Sequence, residues 1–324
     1  MKSRYIGLLL AVCSGVLTAA SPAMAADYPT RPVKMVVPFA AGGSTDLLAR
    51  TIGHAMEKAG GQAFVIENVG GAGATIGTAR VADAPPDGYT ILLGSSSALV
   101  IAPHLHKVRY DPRTSFEPIG KVATASFILM TRPGSGMDQF EQFVAKAKAD
   151  PGKMNYGSPG TGSALHLTIE LMLDQLGLKA THVPFNGSAP VYTSLIGGNL
   201  DFMVDSPSGA VPMVNSGRLV ALAVTTRTRE KSLPQVPTLQ ELGLRDFESM
   251  AWFAMMAPKG TPQPVVQWLR QRLAQALKQP DVHAAMLAAG FNPVQAPETL
   301  VGDLSRDYDR WGVVITKGGI EIDK

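Results

Sequence analysis

Four short stretches of this chain share one design, and that design restricts the fold more than any other feature. In "PFAAGGSTD", "VGGAGATIG", "GSPGTGSALH" and "PFNGSAP" an apolar run ends, a turn of small residues follows, and a helical apolar period starts at once. Strand, tight turn and helix, repeated, give βαβ units and so a mostly parallel sheet with helical crossovers.

The spacing predicts a strand over 34–39, then a helix capped by Ser44 or Thr45 and running to about Ala59. Leu48, Ile52, Ala55 and Met56 fall on one face of it. A strand over 64–67, a turn at 70–73, a helix over 75–82, a turn at Asp87-Gly88 and a strand over 89–94 complete the unit. The alternation resumes with a strand over 127–130 and a helix over 137–149 that carries Phe140, Phe143, Val144 and Ala147 as its stripe. A strand ends at 155–158 and a helix opens near Ser163; a strand over 181–185 precedes a helix near Ser188. Segments 201–204 and 219–225 are further strand candidates. "FESMAWFAMMAP" reads as a strand or crossover. Thr261 is then expected to cap, and Pro262 to pre-set, a helix faced by Val265, Val266, Leu269, Leu273 and Leu277. A last helix carries Leu300, Leu304, Tyr308 and Trp311.

The stretch after residue 250 is too poor in strands to form another α/β unit and is expected to return to the first. The expected fold is therefore α/β with two lobes and a ligand cleft between them. Lobe 1 is residues 26–124 plus 250–324, and lobe 2 is 125–249. With 45% apolar residues, the chain can fill such a core.

The N-terminus is a separate unit. Lys2 and Arg4 precede an apolar run over 5–20, and Ser21-Pro22-Ala23-Met24-Ala25 supplies a small-x-small ending. This reads as a signal peptide over 1–25, cut after Ala25 or Ala26. A membrane anchor is the competing reading, but the run is short of the roughly 20 residues a span needs. The only cysteine, Cys13, leaves with the segment, and Val12 before it fits a lipidation signal poorly. That excludes thiol catalysis and cysteine–zinc sites from the mature chain. Losing Lys2 and Arg4 takes the formal charge from +3 to +1. No Lys/Arg block offers a nucleic-acid face, and no later apolar run is long and clean enough to span a bilayer.

The four turns admit two readings. They are merely tight, with Ser44 and Ser163 as caps, or the helix N-termini behind them hold an anion through free N–H groups and hydroxyls. Two on each lobe would place anion receptors across the cleft. The missing basic cluster favours a mono- or dicarboxylic acid over a nucleotide. Enzyme motifs fit badly. The stretch around Gly71, Gly73 and Gly77 approaches a dinucleotide fingerprint, yet the next strand ends in Gly94-Ser95-Ser96-Ser97 where an acidic residue is wanted. No GxSxG, P-loop or HExxH pattern occurs, so no catalytic residue, metal or cofactor is expected. His104 and His106 read as ordinary loop residues. His166 sits on the first turns of a helix, reaching the cleft or packing against the turn. Asp46, in a first helical turn, orients its loop or orders a water. Asp205, which ends "DFMVD", faces the cleft or braces a turn.

These same residues carry a family resemblance. "YPTRPVKMVVPFAAGGSTDLLAR", "VADAPPDGYTILLG", "KMNYGSPGTGSALHLTIELM", "HVPFNGSAPVYTSLIGGNLDFM", "GRLVALAVTTRTR" and "WFAMMAPKGTPQPVV" resemble the Bug family, the extracytoplasmic solute receptors of tripartite tricarboxylate transporters. The resemblance implies a periplasmic binding protein, not an enzyme, that closes on a small carboxylate and delivers it to integral membrane transporter subunits. It places Phe39, Ala41, Gly42, Ser44, Asp46, Gly73 and Ala74 near the ligand on lobe 1, and Ser158, Gly160, Thr161, His166 and Asp205 on lobe 2. A secreted α/β enzyme acting on a small carboxylic acid is the alternative, with Asp46, His166 and Asp205 as its only candidates. The sequence departs from the family pattern at Ala41 and Gly70, where proline is usual, at Ala74, where glycine is usual, and at Phe185-Asn186, where tyrosine-lysine is common.

Overall fold

A computed structural model describes residues 28–294 and 300–321. The expected signal segment lies outside the described residues, as does the stretch just before the last helix.

The first unit alternates as the spacing demands: β1 (Val33–Val37), α1 (Ser44–Gly60), β2 (Phe64–Asn68), α2 (Thr75–Ala82) and β3 (Thr90–Ser95). β1 pairs in parallel with both β2 and β3. A π-helical turn at Ser97–Ile101 and the short α3 (Ala102–Leu105) then lead to β4 (Phe116–Ala125). The second unit runs β5 (Ile128–Thr131), α4 (Phe140–Ala149), β6 (Asn155–Ser158), α5 (Ala164–Leu176), β7 (Thr181–Pro184), α6 (Ser188–Ile196), β8 (Phe202–Asp205), α7 (Pro207–Asn215) and β9 (Val220–Val224). The chain ends with β10 (Ala251–Pro258), α8 (Gln263–Ala276), α9 (Pro280–Ala288), β11 (Asn292–Pro293) and α10 (Leu300–Gly318).

The strands form two sheets, ordered β11-β4-β10-β3-β1-β2 and β7-β6-β8-β5-β9. β10 thus returns to lie antiparallel between β3 and β4 of the first sheet. β1 shows why that sheet is covered on both faces. Val33, Met35 and Val37 point to one side, where Leu48, Ile52 and Met56 of α1 and Leu269 and Leu273 of α8 bury them. Val36 points to the other side, into a cluster that also holds Leu92, Val100, Trp311 and Ile315. That second cluster continues through Leu167 and Tyr156 into the other sheet. α10 packs both on the π-helical turn and on α5, so it lies across the two units.

Several local expectations change. Gly43, in extended conformation (φ −80°, ψ 170°), is the N-cap of α1 and has no side chain to offer; Ser44 and Thr45 are already helical. Pro262, not Thr261, caps α8; the Thr261 hydroxyl donates instead to the Pro258 carbonyl at 2.7 Å. α4 starts at Phe140 rather than 137, because the Gln142 side chain reaches back to accept the Gln139 N–H at 3.1 Å and fixes the start there. The ten-residue β4 and the helix α7 have no counterpart in the sequence reading.

Candidate ligand-binding cleft

The loop after β1 is tied from within its own helix. Asp46, at the third helical position, reaches back, and its Oδ2 accepts the Gly42 N–H at 3.0 Å and the Arg50 Nε–H at 3.0 Å. The Arg50 hydrogen bond chiefly holds this carboxyl below its usual range, against the opposing effect of burial. Its Oδ1 is buried and has no partner among the described residues. The Asn68 side chain donates to the Phe39 carbonyl at 3.2 Å and fixes the first residue of the bend.

The loop after β2 is built almost wholly from backbone. Gly71, Ala72, Gly73 and Ala74 have φ of 125°, 45°, 64° and 74°. In this left-handed run the Ala74 N–H turns back onto the Gly71 carbonyl at 3.0 Å, and the Thr75 N–H onto the Ala72 carbonyl. Two of the four are alanines, which pay strain for that conformation. The two loops touch at Gly77, where an added Cβ would lie 2.5 Å from the Val69 carbonyl oxygen and 3.0 Å from the Pro38 Cα.

Across the cleft stands the turn after β6. Gly160 (φ 149°) and Gly162 (φ 75°) give it its shape. Ser163 caps α5 by accepting the His166 N–H at 3.2 Å. His166 Nδ1 in turn accepts the Gly162 N–H at 3.0 Å, which makes that nitrogen the unprotonated one. The His166 ring stacks on His182 with centroids 3.8 Å apart and planes 11° from parallel. His182 Nε2 bonds the Ser158 hydroxyl at 2.7 Å. Tyr156 packs near-parallel against both imidazoles, and its hydroxyl donates to Glu170. Burial lowers His166 to about 3, with His182 adding to the effect, and lowers His182 to about 4. Both imidazoles are therefore neutral at physiological pH and act as a support beneath the turn.

A cleft of about 300 Å³ opens between these parts. Phe39 and Gly73 line one wall, Pro159, Gly160 and Thr161 the other, and Ser97, Leu105 and His106 the rest, with a few neighbours. Of the sequence-predicted residues, Phe39, Gly73, Gly160 and Thr161 are brought together here. Ala41, Gly42 and Ser44 lie exposed along the first loop and outside this lining, with Asp46 buried at its base. Ala74 is buried beneath the second loop. Ser158 and His166 are buried behind the glycine turn. Asp205 is buried at the end of β8, where its Oδ1 accepts the Ser206 N–H at 2.7 Å, and burial raises its pKa above the usual carboxylate range. Ser97, Leu105 and His106 were not expected; only the π-helical turn and α3 bring them in.

The chemistry follows from the lining. Backbone N–H groups, Ser and Thr hydroxyls and one imidazole face the cleft, and no Lys or Arg is among the lining residues. Asp46, His166 and Asp205 are each engaged by local partners rather than converging as an acid–base pair. Such a surface suits holding a small anion, not transforming one.

Two α/β units facing each other over a cleft define a solute receptor of the two-lobed periplasmic binding protein class. The comparisons agree. The chain belongs to the tripartite tricarboxylate transporter family receptors, whose family model matches residues 48–320. It is 35% identical over 320 residues to Protein BugT of Bordetella pertussis (strain Tohama I), covering 98% of this chain and 97% of that one. The solved periplasmic binding protein BugD superposes with a TM-score of 0.74 at 38% identity, over 91% of this chain and 99% of its own. MatC from Rhodopseudomonas palustris with bound malate superposes with a TM-score of 0.74 at 33% identity, over 89% and 100% of the two chains. The chain is thus a solute receptor and not an enzyme.

Proposed function

We propose that residues 1–25 export the chain to the periplasm, where it closes on a small carboxylic acid and hands it to integral membrane subunits of a transporter. The division into lobe 1 (26–124 with 250–324) and lobe 2 (125–249) puts the moving parts on either side of the cleft. Phe39 and Gly73 on one lobe, and Gly160 and Thr161 on the other, are the contacts we assign to the ligand. Asp46 and His166 hold the two loops in shape. The observation that carries this reading is the composition of the cleft wall, which offers backbone donors and hydroxyls without a fixed cation. A carboxylate's one or two charges are met by such a set, whereas a polyphosphate recruits Lys and Arg. The malate bound by MatC is an acid of this kind.

Isothermal titration of the mature protein with malate, adipate, aspartate, citrate and benzoate tests it, with the fully methylated ester of each hit as control. The expected result is one site per chain for at least one acid, with the ester at least 100-fold weaker. No binding by any of the acids, or equal binding of acid and ester, would overturn the proposal.

A further inference from the structure

The chain has six histidines. In five the ring has a partner within the protein. His54 faces Glu57 at 4.0 Å, His104 the Tyr308 carbonyl at 2.8 Å, His166 the Gly162 N–H at 3.0 Å, His182 the Ser158 hydroxyl at 2.7 Å and His283 the Leu277 carbonyl at 2.5 Å. The ring of His106 makes no hydrogen bond or ion pair among the described residues, and it is the one that lines the cleft. Its backbone is anchored: the His106 N–H closes α3 on the Ala102 carbonyl at 2.8 Å. Its ring lies over the left-handed loop, with Nε2 3.1 Å from where a Cβ on Gly73 would stand. Of the thirteen lining residues it alone carries an ionisable side chain.

We infer that His106 is a ligand-reading residue of this cleft: its imidazole hydrogen-bonds the bound acid beside the Gly73 loop. This rests on the receptor reading above. Closure removes water from a carboxylate that otherwise meets only partial charges from N–H and O–H groups. An imidazole there supplies a directional side-chain hydrogen bond in place of the water that closure removes. Nothing else packed against the ring competes for the role. On its own segment Lys107 and Arg109 are exposed, Arg109 facing Asp83 at 3.9 Å. His104 turns to Tyr308 of α10, and α10 meets α3 through Tyr308 and Gly312. The 71–74 loop and the 159–164 turn carry no ionisable side chain. His166 behind that turn stays neutral down to about 3.

The test is titration with the tightest-binding acid of the same panel at pH 7 on the wild-type protein, His106→Gln and His106→Phe. Melting temperatures of each establish folding. His106→Gln should keep one site and bind about 5- to 20-fold more weakly. His106→Phe, which keeps the apolar bulk, should bind more weakly still. A folded His106→Gln or His106→Phe protein with wild-type affinity would refute the role and leave the receptor reading intact. Failure of every acid to bind the wild type would overturn both.

Discussion

Gly77→Ala is the sharpest perturbation of the first-lobe loops. Gly77 lies in the first turn of α2, wedged between the chain that leaves β1 and the chain that leaves β2. An added Cβ would come within 2.5 Å of the Val69 carbonyl oxygen and 3.0 Å of the Pro38 Cα. Both neighbours are backbone, so no rotamer change relieves the contact and the two loops must separate. Overpacking of this kind costs about 1–3 kcal/mol, with backbone on both sides favouring the upper end. Alanine returns about 1 kcal/mol through helix propensity. The net is a loss of roughly 1–2 kcal/mol, or about 2–8 °C in melting temperature. Ligand affinity should fall by at least 10-fold, because Phe39 and Gly73 sit on the two loops that are pushed apart. Gly302→Ala is the internal control: it makes the same change on an exposed turn of α10 with nothing within 4 Å, and should raise stability by about 0.5–1 kcal/mol. Differential scanning fluorimetry and titration with the bound acid read both quantities. If Gly77→Ala melts like Gly302→Ala, or binds as the wild type does, the loops are not locked together at this residue.

Two further substitutions test the supports of the cleft. Asp46→Ala removes the acceptor of the Gly42 N–H and Arg50 and should lower stability by about 1 kcal/mol; a melt that stays at the wild-type temperature would show the loop does not depend on it. His166 and His182 have folded pKa values of about 3 and about 4, below the unfolded value near 6.5. The unfolded chain therefore binds more protons in that interval, and their contribution to stability, complete above about pH 6.5, is lost as pH falls toward 3–4. His166→Gln should flatten the melting curve against pH over that range, and an unchanged slope would show that this imidazole does not titrate on unfolding.

Much of this architecture is legible in the sequence because the features that encode it are local. Leu48, Ile52, Ala55 and Met56 share a helical face, and all four are buried in α1. The bounds of α2 follow from the glycine turn before it. β4 is not legible, because Pro118 and Gly120 break its pattern. It survives as a strand because its pairing with β10 takes up the irregularity in two register shifts. The π-helical turn is equally hidden: an apolar run after three serines reads as the end of a strand, and nothing in the spacing announces a fifth-residue hydrogen bond. His106 inherits that difficulty, since its place in the cleft depends on the turn ahead of it. The stack of His166 on His182 joins a helix to a separate strand and has no sequence signal at all.

The departures from the family pattern take on meaning once placed. Ala74, which carries a methyl group where the family usually has glycine, is 4% exposed and lies outside the cleft lining. Its left-handed φ of 74° is retained while the Thr78 hydroxyl donates to its carbonyl at 2.8 Å. The cost of that alanine is therefore backbone strain, borne by the packing of α2, and not a loss of space for the acid. Ala41 lies exposed outside the lining as well. Neither replacement changes the wall of the cleft. Selectivity among acids should follow the side chains that the segment after β3 brings to this wall, Ser97, Leu105 and His106, more closely than it follows the two glycine loops.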